Sequence, residues 1–164
     1  MYPLRKENCC PYAIIVSAAG VNILIYIVRE KSERKHNEGG NKLQGRYPLN
    51  ICILGGGNVG TLLAADLGRQ ECVSVRVFTS RPNEWSRVVR VFDSNDTFLY
   101  QGYVDIVSDD PRQAVTDADI IISTLPAHVA RDSIKTVSPF IKEGAWLGMM
   151  PGSGGREYFC KDLI

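Results

Sequence analysis

The 164-residue sequence has only two histidines, His36 and His128, and no cluster of cysteines. A transition-metal site, which needs three or four such ligands at close spacing, has little support. The five cysteines (Cys9, Cys10, Cys52, Cys72, Cys160) are odd in number and form no CxxC pair. That is not a disulfide framework, and it places the main domain in a reducing, cytoplasmic setting. Cys52 lies in an apolar run and reads as a small buried hydrophobe. A strong net charge is also missing. The total is +1, made of +4 over residues 1–50 and −3 over the remainder, so the body is mildly acidic and offers no nucleic-acid surface. With 45% hydrophobic and 23% charged residues, the chain is globular rather than disordered, and its length suits one domain.

Charge is absent altogether from Asn8 to Val28, and "AIIVSAAGVNILIYIV" (Ala13 to Val28) is largely apolar. This approaches the length of a spanning helix. Arg5 and Lys6 precede it; Arg29, Lys31, Arg34 and Lys35 follow, an arrangement that keeps the following domain on the cytoplasmic side. A membrane anchor through residues 9–28, with Cys9 and Cys10 as palmitate acceptors, is one expectation. A packed helix or strand, or an extension from an over-long gene start, is the other. Glu30 to Asn50 is polar and glycine-containing and reads as a linker. The expected organisation is an N-terminal extension over 1–46 and one domain over 47–164.

From residue 49 the pattern alternates strand and helix. "LNICILG" (Leu49 to Gly55) suits a strand buried on both faces. Val59, Leu62, Leu63 and Leu67 follow at helical spacing, with Gly68 as a stop. "CVSVRVFTSR" (Cys72 to Arg81) alternates and is β-branched, giving a βαβ unit and a parallel pairing. The tetrapeptide Asp93-Ser94-Asn95-Asp96 is a turn signal between strand-like runs, so an antiparallel excursion is expected. Asn95-Asp96-Thr97 also matches a glycosylation acceptor, though turn chemistry explains it more simply. Asp110-Pro111 looks like a helix cap, leading into a short helix through Ala114 and Val115. "ADIIISTLP" is another buried strand. Ala130, Ile134, Val137 and Ile141 side the next helix, which Pro139 should end or kink. "AWLGMMPGSGG" reads as a strand ending in a glycine loop. The predicted fold class is α/β: a Rossmann-like, doubly wound, mostly parallel sheet with a small antiparallel β insertion.

Two further absences decide the ligand. "GGGNVG" has the glycine spacing of a P-loop, but Thr61-Leu62 stands where that motif needs Lys-Ser/Thr, which argues against a nucleoside triphosphate site. The same residues fit GxGxxG as Gly55, Gly57 and Gly60, between a strand and a helix, where Asn58 and Val59 would face a dinucleotide pyrophosphate. At the end of the second strand the Asp or Glu that grips an NAD ribose is absent. Thr79-Ser80-Arg81 stands there instead. Hydroxyls with an Arg accept a 2′-phosphate that a carboxylate would repel, so the expected cofactor is NADP(H) rather than NAD(H). A solvated loop charge is the competing reading of Arg81.

"ILGGGNVGTLLAADL", "VRVFTSRP" and "ADIIISTLPAHVARDSIKTVSPFIKEGAWLGMMPGSGG" together resemble the cofactor domain of the opine (octopine/nopaline) dehydrogenases. More distantly they are similar to ketopantoate reductase and glycerol-3-phosphate dehydrogenase. The resemblance implies reductive condensation of an amino acid with a 2-oxo acid by hydride from NAD(P)H. It implies that Leu125, Pro126 and Ala127 lie along the cofactor, and that Gly152, Ser153 and Gly154 approach the nicotinamide. Relatives carry a catalytic His and Asp in a helical C-terminal domain, whereas this sequence ends at Ile164. A truncated chain, inactive by itself, is therefore expected, and no catalytic residue is assigned. The amino acid and 2-oxo acid become partners only with such a domain. A non-catalytic dinucleotide-binding or sensing module, or a non-functional fragment, is the alternative. His128 and Asp132 share one face of a predicted helix, but no nucleophile is placed against them, so a surface pair is the simpler reading. "PGSGG" is not a nucleophile elbow, because Pro151 takes the place of its first glycine.

Overall fold

The computed structural model describes residues 12–18, 21–27 and 49–152. The chain divides into two units, Met1–Gly45 and Arg46–Ile164.

In the first unit, β1 (Tyr12–Ala18) and β2 (Val21–Ile27) pair antiparallel, from Tyr12 opposite Ile27 to Ala18 opposite Val21. This corrects the expectation of one spanning helix. The physical reason is visible in the run itself. Ile and Val dominate its two halves, where β-branching favours an extended backbone, and Gly20 stands between them, where a helix would lose most. No helix among the described residues is long and apolar enough to cross a membrane. Cys9, Cys10 and the linker residues 30–48 lie outside the described residues.

The second unit is built on five parallel strands. β3 (Leu49–Leu54) leads into α1 (Asn58–Gly68), and β4 (Val73–Phe78) follows. A 3-10 turn, Pro82–Glu84, precedes β5 (Val88–Phe92) and β6 (Phe98–Tyr103). The chain continues through β7 (Ile106–Ser108), α2 (Pro111–Val115), β8 (Ile120–Ser123), α3 (Ala127–Val137) and β9 (Trp146–Met149). The main sheet has the order β7-β4-β3-β8-β9, with every pairing parallel. The first strand therefore lies at the centre and the chain winds outward from it in both directions, as in a doubly wound nucleotide-binding sheet.

Burial explains the central place of β3. Ile51, Cys52, Ile53 and Leu54 are all fully buried, which only a strand with helices on both faces can satisfy. Cys52 and Leu54 pack with Ala114 and Val115 of α2 and with Ile134 and Val137 of α3. Alternation sends Ile51 and Ile53 to the other face. Removing a side chain such as Ile53 or Leu63 from water stabilises by about 1.5–3 kcal/mol each. Burial also pushes the Cys52 thiol up to about 12, so it is an inert apolar filler, as its surroundings in the sequence suggested.

The excursion expected around residues 93–96 is the hairpin β5–β6, paired antiparallel with an irregularity at Val91/Phe92. Its turn is closed by Asp93, whose Oδ1 accepts from Asn95 N at 2.8 Å and Thr97 N at 2.9 Å. Those bonds hold the Asp93 carboxyl below its ordinary range. Asp96 takes the left-handed conformation, φ 59°, which Asp tolerates better than most residues. The sequence pattern does not separate β7 from this excursion. In fact β7 leaves it and pairs parallel to β4, completing the sheet edge.

The hairpin lies on α1 through glycines. A methyl at Gly102 would overlap the Ala65 carbonyl, and one at Gly68 would overlap the Tyr103 backbone. Gly68 is thus required for packing rather than for a left-handed stop; Arg69, which follows it, is right-handed at φ −93°. Asp110 caps α2 through its Oδ1, which accepts from Arg112 N at 2.9 Å. α3 ends at Val137, where Ser138–Phe140 tightens into a 3-10 turn containing Pro139.

Two outcomes test this packing. Gly102→Ala should lower the unfolding free energy by about 1–3 kcal/mol, because backbone meets backbone and neither can yield; urea titration reads it. Alkylation followed by peptide mapping should leave Cys52 unmodified in the native chain and modified in denaturant.

Candidate functional site

The site lies at the carboxyl ends of β3, β4 and β8, where the strand order reverses direction and leaves a crevice. The ladder runs to the very edge of the sheet: Gly55 N donates to Phe78 O at 2.9 Å, and Thr124 N to Leu54 O at 2.9 Å. Thr124 Oγ1 donates to Leu54 O at 3.2 Å and lies 3.4 Å from Gly55 O. The glycine turn and the β8 loop are therefore held together as one wall of the crevice.

The fingerprint glycines have distinct tasks. Gly55 has φ 115°, a conformation that side chains rarely adopt, and a methyl there would fall 2.9 Å from Leu125 and Thr124 side-chain atoms. Gly60, in the first turn of α1, would overlap the Gly55 carbonyl oxygen if it carried a Cβ. Gly57 differs from both. Its backbone is ordinary extended structure, φ −79° and ψ −177°, and a Cβ there meets no atom within 4 Å. Neither conformation nor protein packing calls for glycine at 57; what its missing side chain keeps free is the space in front of α1.

That space faces a helix N-terminus without a cap. The N-cap Gly57 has no side chain to cap the first turn of α1, and no acidic residue stands in that turn. The leading amides, including those of Asn58 and Val59, present the positive end of the helix dipole. Val59, expected from its spacing on the apolar side of α1, is 42% exposed at this end; the buried face is made instead by Leu63, Ala64, Ala65 and Leu67. An open cradle, uncapped amides and a glycine that nothing in the protein requires fit a dinucleotide pyrophosphate.

A cavity of about 340 Å³ adjoins the turn, lined among others by Gly56, Thr79, Arg81, Glu84, Trp85 and Arg90. Its size is that of a small-ligand pocket. Thr79 and Arg81 line it at the end of β4, while Ser80 is exposed and does not. Thr79 Oγ1 lies 3.4 Å from Arg81 N. Trp85 lies across the glycine turn: a methyl on Gly56 would fall 2.6 Å from Trp85 Nε1 and 2.8 Å from Thr79 Oγ1. Gly56, Trp85, Glu84 and Arg90 were missed by sequence reasoning. The middle glycine of "GGG", Gly56, was the one available signal. Trp85 and Arg90 reach the cavity only because the Pro82–Glu84 turn and the hairpin, which packs on α1, bring them beside the glycine turn.

On the far side, Leu125 is half-buried and packs on the core below α3. Pro126, with φ −56° and ψ 149°, opens α3, and Ala127 is its first residue. These three border the β8 end of the crevice. Gly152 is exposed beyond β9, and Ser153 and Gly154 lie outside the described residues. His128 and Asp132 are both exposed on α3.

Comparison with known proteins agrees with this geometry. Residues 50–150 match the family model of the NAD-dependent glycerol-3-phosphate dehydrogenase N-terminus. Octopine dehydrogenase of Mizuhopecten yessoensis is 25% identical over 127 residues, covering 71% of this chain and 32% of that protein. Tauropine dehydrogenase of Arabella iricolor is 31% identical over 121 residues, covering 67% of this chain and 30% of that protein. Among solved structures, octopine dehydrogenase in complex with NADH and agmatine superposes with a TM-score of 0.62 at 24% identity, over 70% of this chain and 31% of that one. NADP+-bound yersinopine dehydrogenase gives 0.56 at 16% identity, over 70% and 32%. The chain spans about a third of the length of the curated relatives it matches. It belongs to the family of the NAD-dependent glycerol-3-phosphate dehydrogenase N-terminus, as an opine dehydrogenase-like, NAD(P)-binding Rossmann domain of oxidoreductases.

Proposed function

We propose that this domain binds NADP(H) in preference to NAD(H), and serves as the cofactor half of an oxidoreductase that condenses an amino acid with a 2-oxo acid. The observation that carries the cofactor preference is the rim of the 340 Å³ cavity at the end of β4. Arg81 and Arg90 line it, and no carboxylate occupies the strand-end position, residues 79–81, that would hold a 2′-hydroxyl. A guanidinium offers a 2′-phosphate paired, charge-assisted bonds. The cofactor supplies a hydride when bound. The chain's own residues hold and orient it: the turn Gly55–Gly60 takes the pyrophosphate, Thr79 and Arg81 the 2′-phosphate, and Trp85 the flank of the adenosine. Leu125, Pro126 and Ala127 border the dinucleotide, and Gly152 beyond β9 lies on the nicotinamide side. Both cofactor types occur among the neighbours, NADH in the octopine dehydrogenase structures and NADP+ in that of yersinopine dehydrogenase.

The reductive condensation rests on the relatives. Octopine dehydrogenase has been solved with NADH and L-arginine and with NADH and pyruvate, an amino acid and a 2-oxo acid. That activity is a property of the whole relatives, of which this chain spans 32% in the case of octopine dehydrogenase.

Titration calorimetry on the 164-residue chain tests the cofactor reading. NADPH should bind more tightly than NADH, and Arg81→Glu should reverse that order, weakening NADPH by about tenfold or more, the scale of a lost charge-assisted bond. Equal affinity for the two, or binding of neither, refutes it. The glycines give a second test. Gly57→Ala should leave the unfolding free energy within about 0.5 kcal/mol of wild type while weakening both dinucleotides at least several-fold. Gly60→Ala should cost about 1–3 kcal/mol of stability, because it drives α1 off the Gly55 carbonyl.

A further inference from the structure

The cavity rim carries one carboxylate among its cations. Glu84 is the last residue of the 3-10 turn Pro82–Glu84, which begins directly after Arg81. The turn brings Glu84 N to 3.2 Å from Arg81 O, and so carries the two side chains to the same side. Glu84 Oε2 meets Arg81 Nη1 at 3.1 Å. The pair is set by local backbone geometry and is not buried: the side chains are 71% and 63% exposed. Such pairs are weak and readily exchanged.

The guanidinium that Glu84 engages is the one the 2′-phosphate needs. We propose that Glu84 is an intramolecular competitor for that phosphate and sets how strongly the site discriminates NADP(H) from NAD(H); this rests on the NADP(H) reading above. A 2′-phosphate, bearing between one and two negative charges at neutral pH, enters the fork of Arg81 only by displacing the carboxylate, and then lies beside it. Each step opposes the binding of NADP(H). NAD(H) presents a neutral 2′-hydroxyl, leaves the Arg81–Glu84 pair in place, and meets a carboxylate able to accept a hydrogen bond from it. Arg90, on the same rim, keeps the cavity cationic after the pair opens. Glu84 thus lowers a preference that Arg81 creates, and the domain accepts both cofactors with a bias rather than one exclusively.

The test is calorimetry with NADPH and NADH on the 164-residue chain, its Glu84→Gln and Arg81→Gln variants, and the double variant, with thermal melts to verify that each is folded. Glu84→Gln should tighten NADPH roughly two- to five-fold, the range of a surface ion pair, and leave NADH unchanged or weaker. The gain should shrink in the Arg81→Gln background, where there is no guanidinium to release. It should also fade at about 1 M salt, where the screening length is about 3 Å. An unchanged NADPH-to-NADH ratio in Glu84→Gln, with Arg81→Gln still weakening NADPH, overturns the competition and leaves the NADP(H) reading standing. A gain of full size in the double variant overturns it too. If Arg81→Gln binds both cofactors as the wild type does, the NADP(H) reading falls, and the competition with it.

Discussion

The contact on which the site depends is the approach of Gly60 to the carbonyl of Gly55. It leaves no room for a Cβ, and it sets how far α1 can advance over the end of β3. Because β3 is buried on both faces, the turn cannot retreat, and because the β5–β6 hairpin presses on α1 through Gly102 and Gly68, the helix cannot withdraw. The N-terminal amides of α1 are thereby held at the crevice, uncapped, with open space before Gly57. An anion-binding site is in this sense a by-product of tight helix-to-strand packing.

The second constraint is electrostatic. The positive helix end and the Arg81/Arg90 rim lie on either side of a turn that brings no acidic residue of its own. On the proposed reading, selectivity between two cofactors that differ by one phosphate falls to side chains on the rim, where water screens each charge and single interactions are small. A buried carboxylate in the strand-end position would discriminate more sharply. An exposed guanidinium paired with a neighbouring carboxylate is suited to a graded preference at most, and Trp85 lies across the glycine turn beside it.

Much of this was legible in the residues. Periodicity located β3, α1, β4, β8, α3 and β9 to within a few positions, since each is a plain apolar pattern with punctuation at its ends: Asp110-Pro111 at the start of α2, Pro139 just past α3. The Asp93–Asp96 turn announced the hairpin. One element escaped, and two readings were incomplete. β7 is only three residues long, too short for a period to show. α1 does stop at Gly68, but the reason for glycine there is Tyr103, thirty-five positions away. The apolar run over 13–28 left a spanning helix and a packed helix or strand both open; its backbone forms two seven-residue strands, because β-branched content and the central Gly20 weigh more than overall hydrophobicity.

The sequence by itself determined the alternation of strand and helix, the identity of the fingerprint glycines and the lack of an acidic residue at the β4 end. These are local matters: side-chain period, backbone freedom and charge at a fixed offset from a strand. The tertiary structure alone decided that Gly56, Trp85, Glu84 and Arg90 join Thr79 and Arg81 around one cavity. Their meeting depends on how a 3-10 turn leaves the end of β4 and a hairpin packs on α1, and no spacing along the chain encodes a distance set by the packing of other elements.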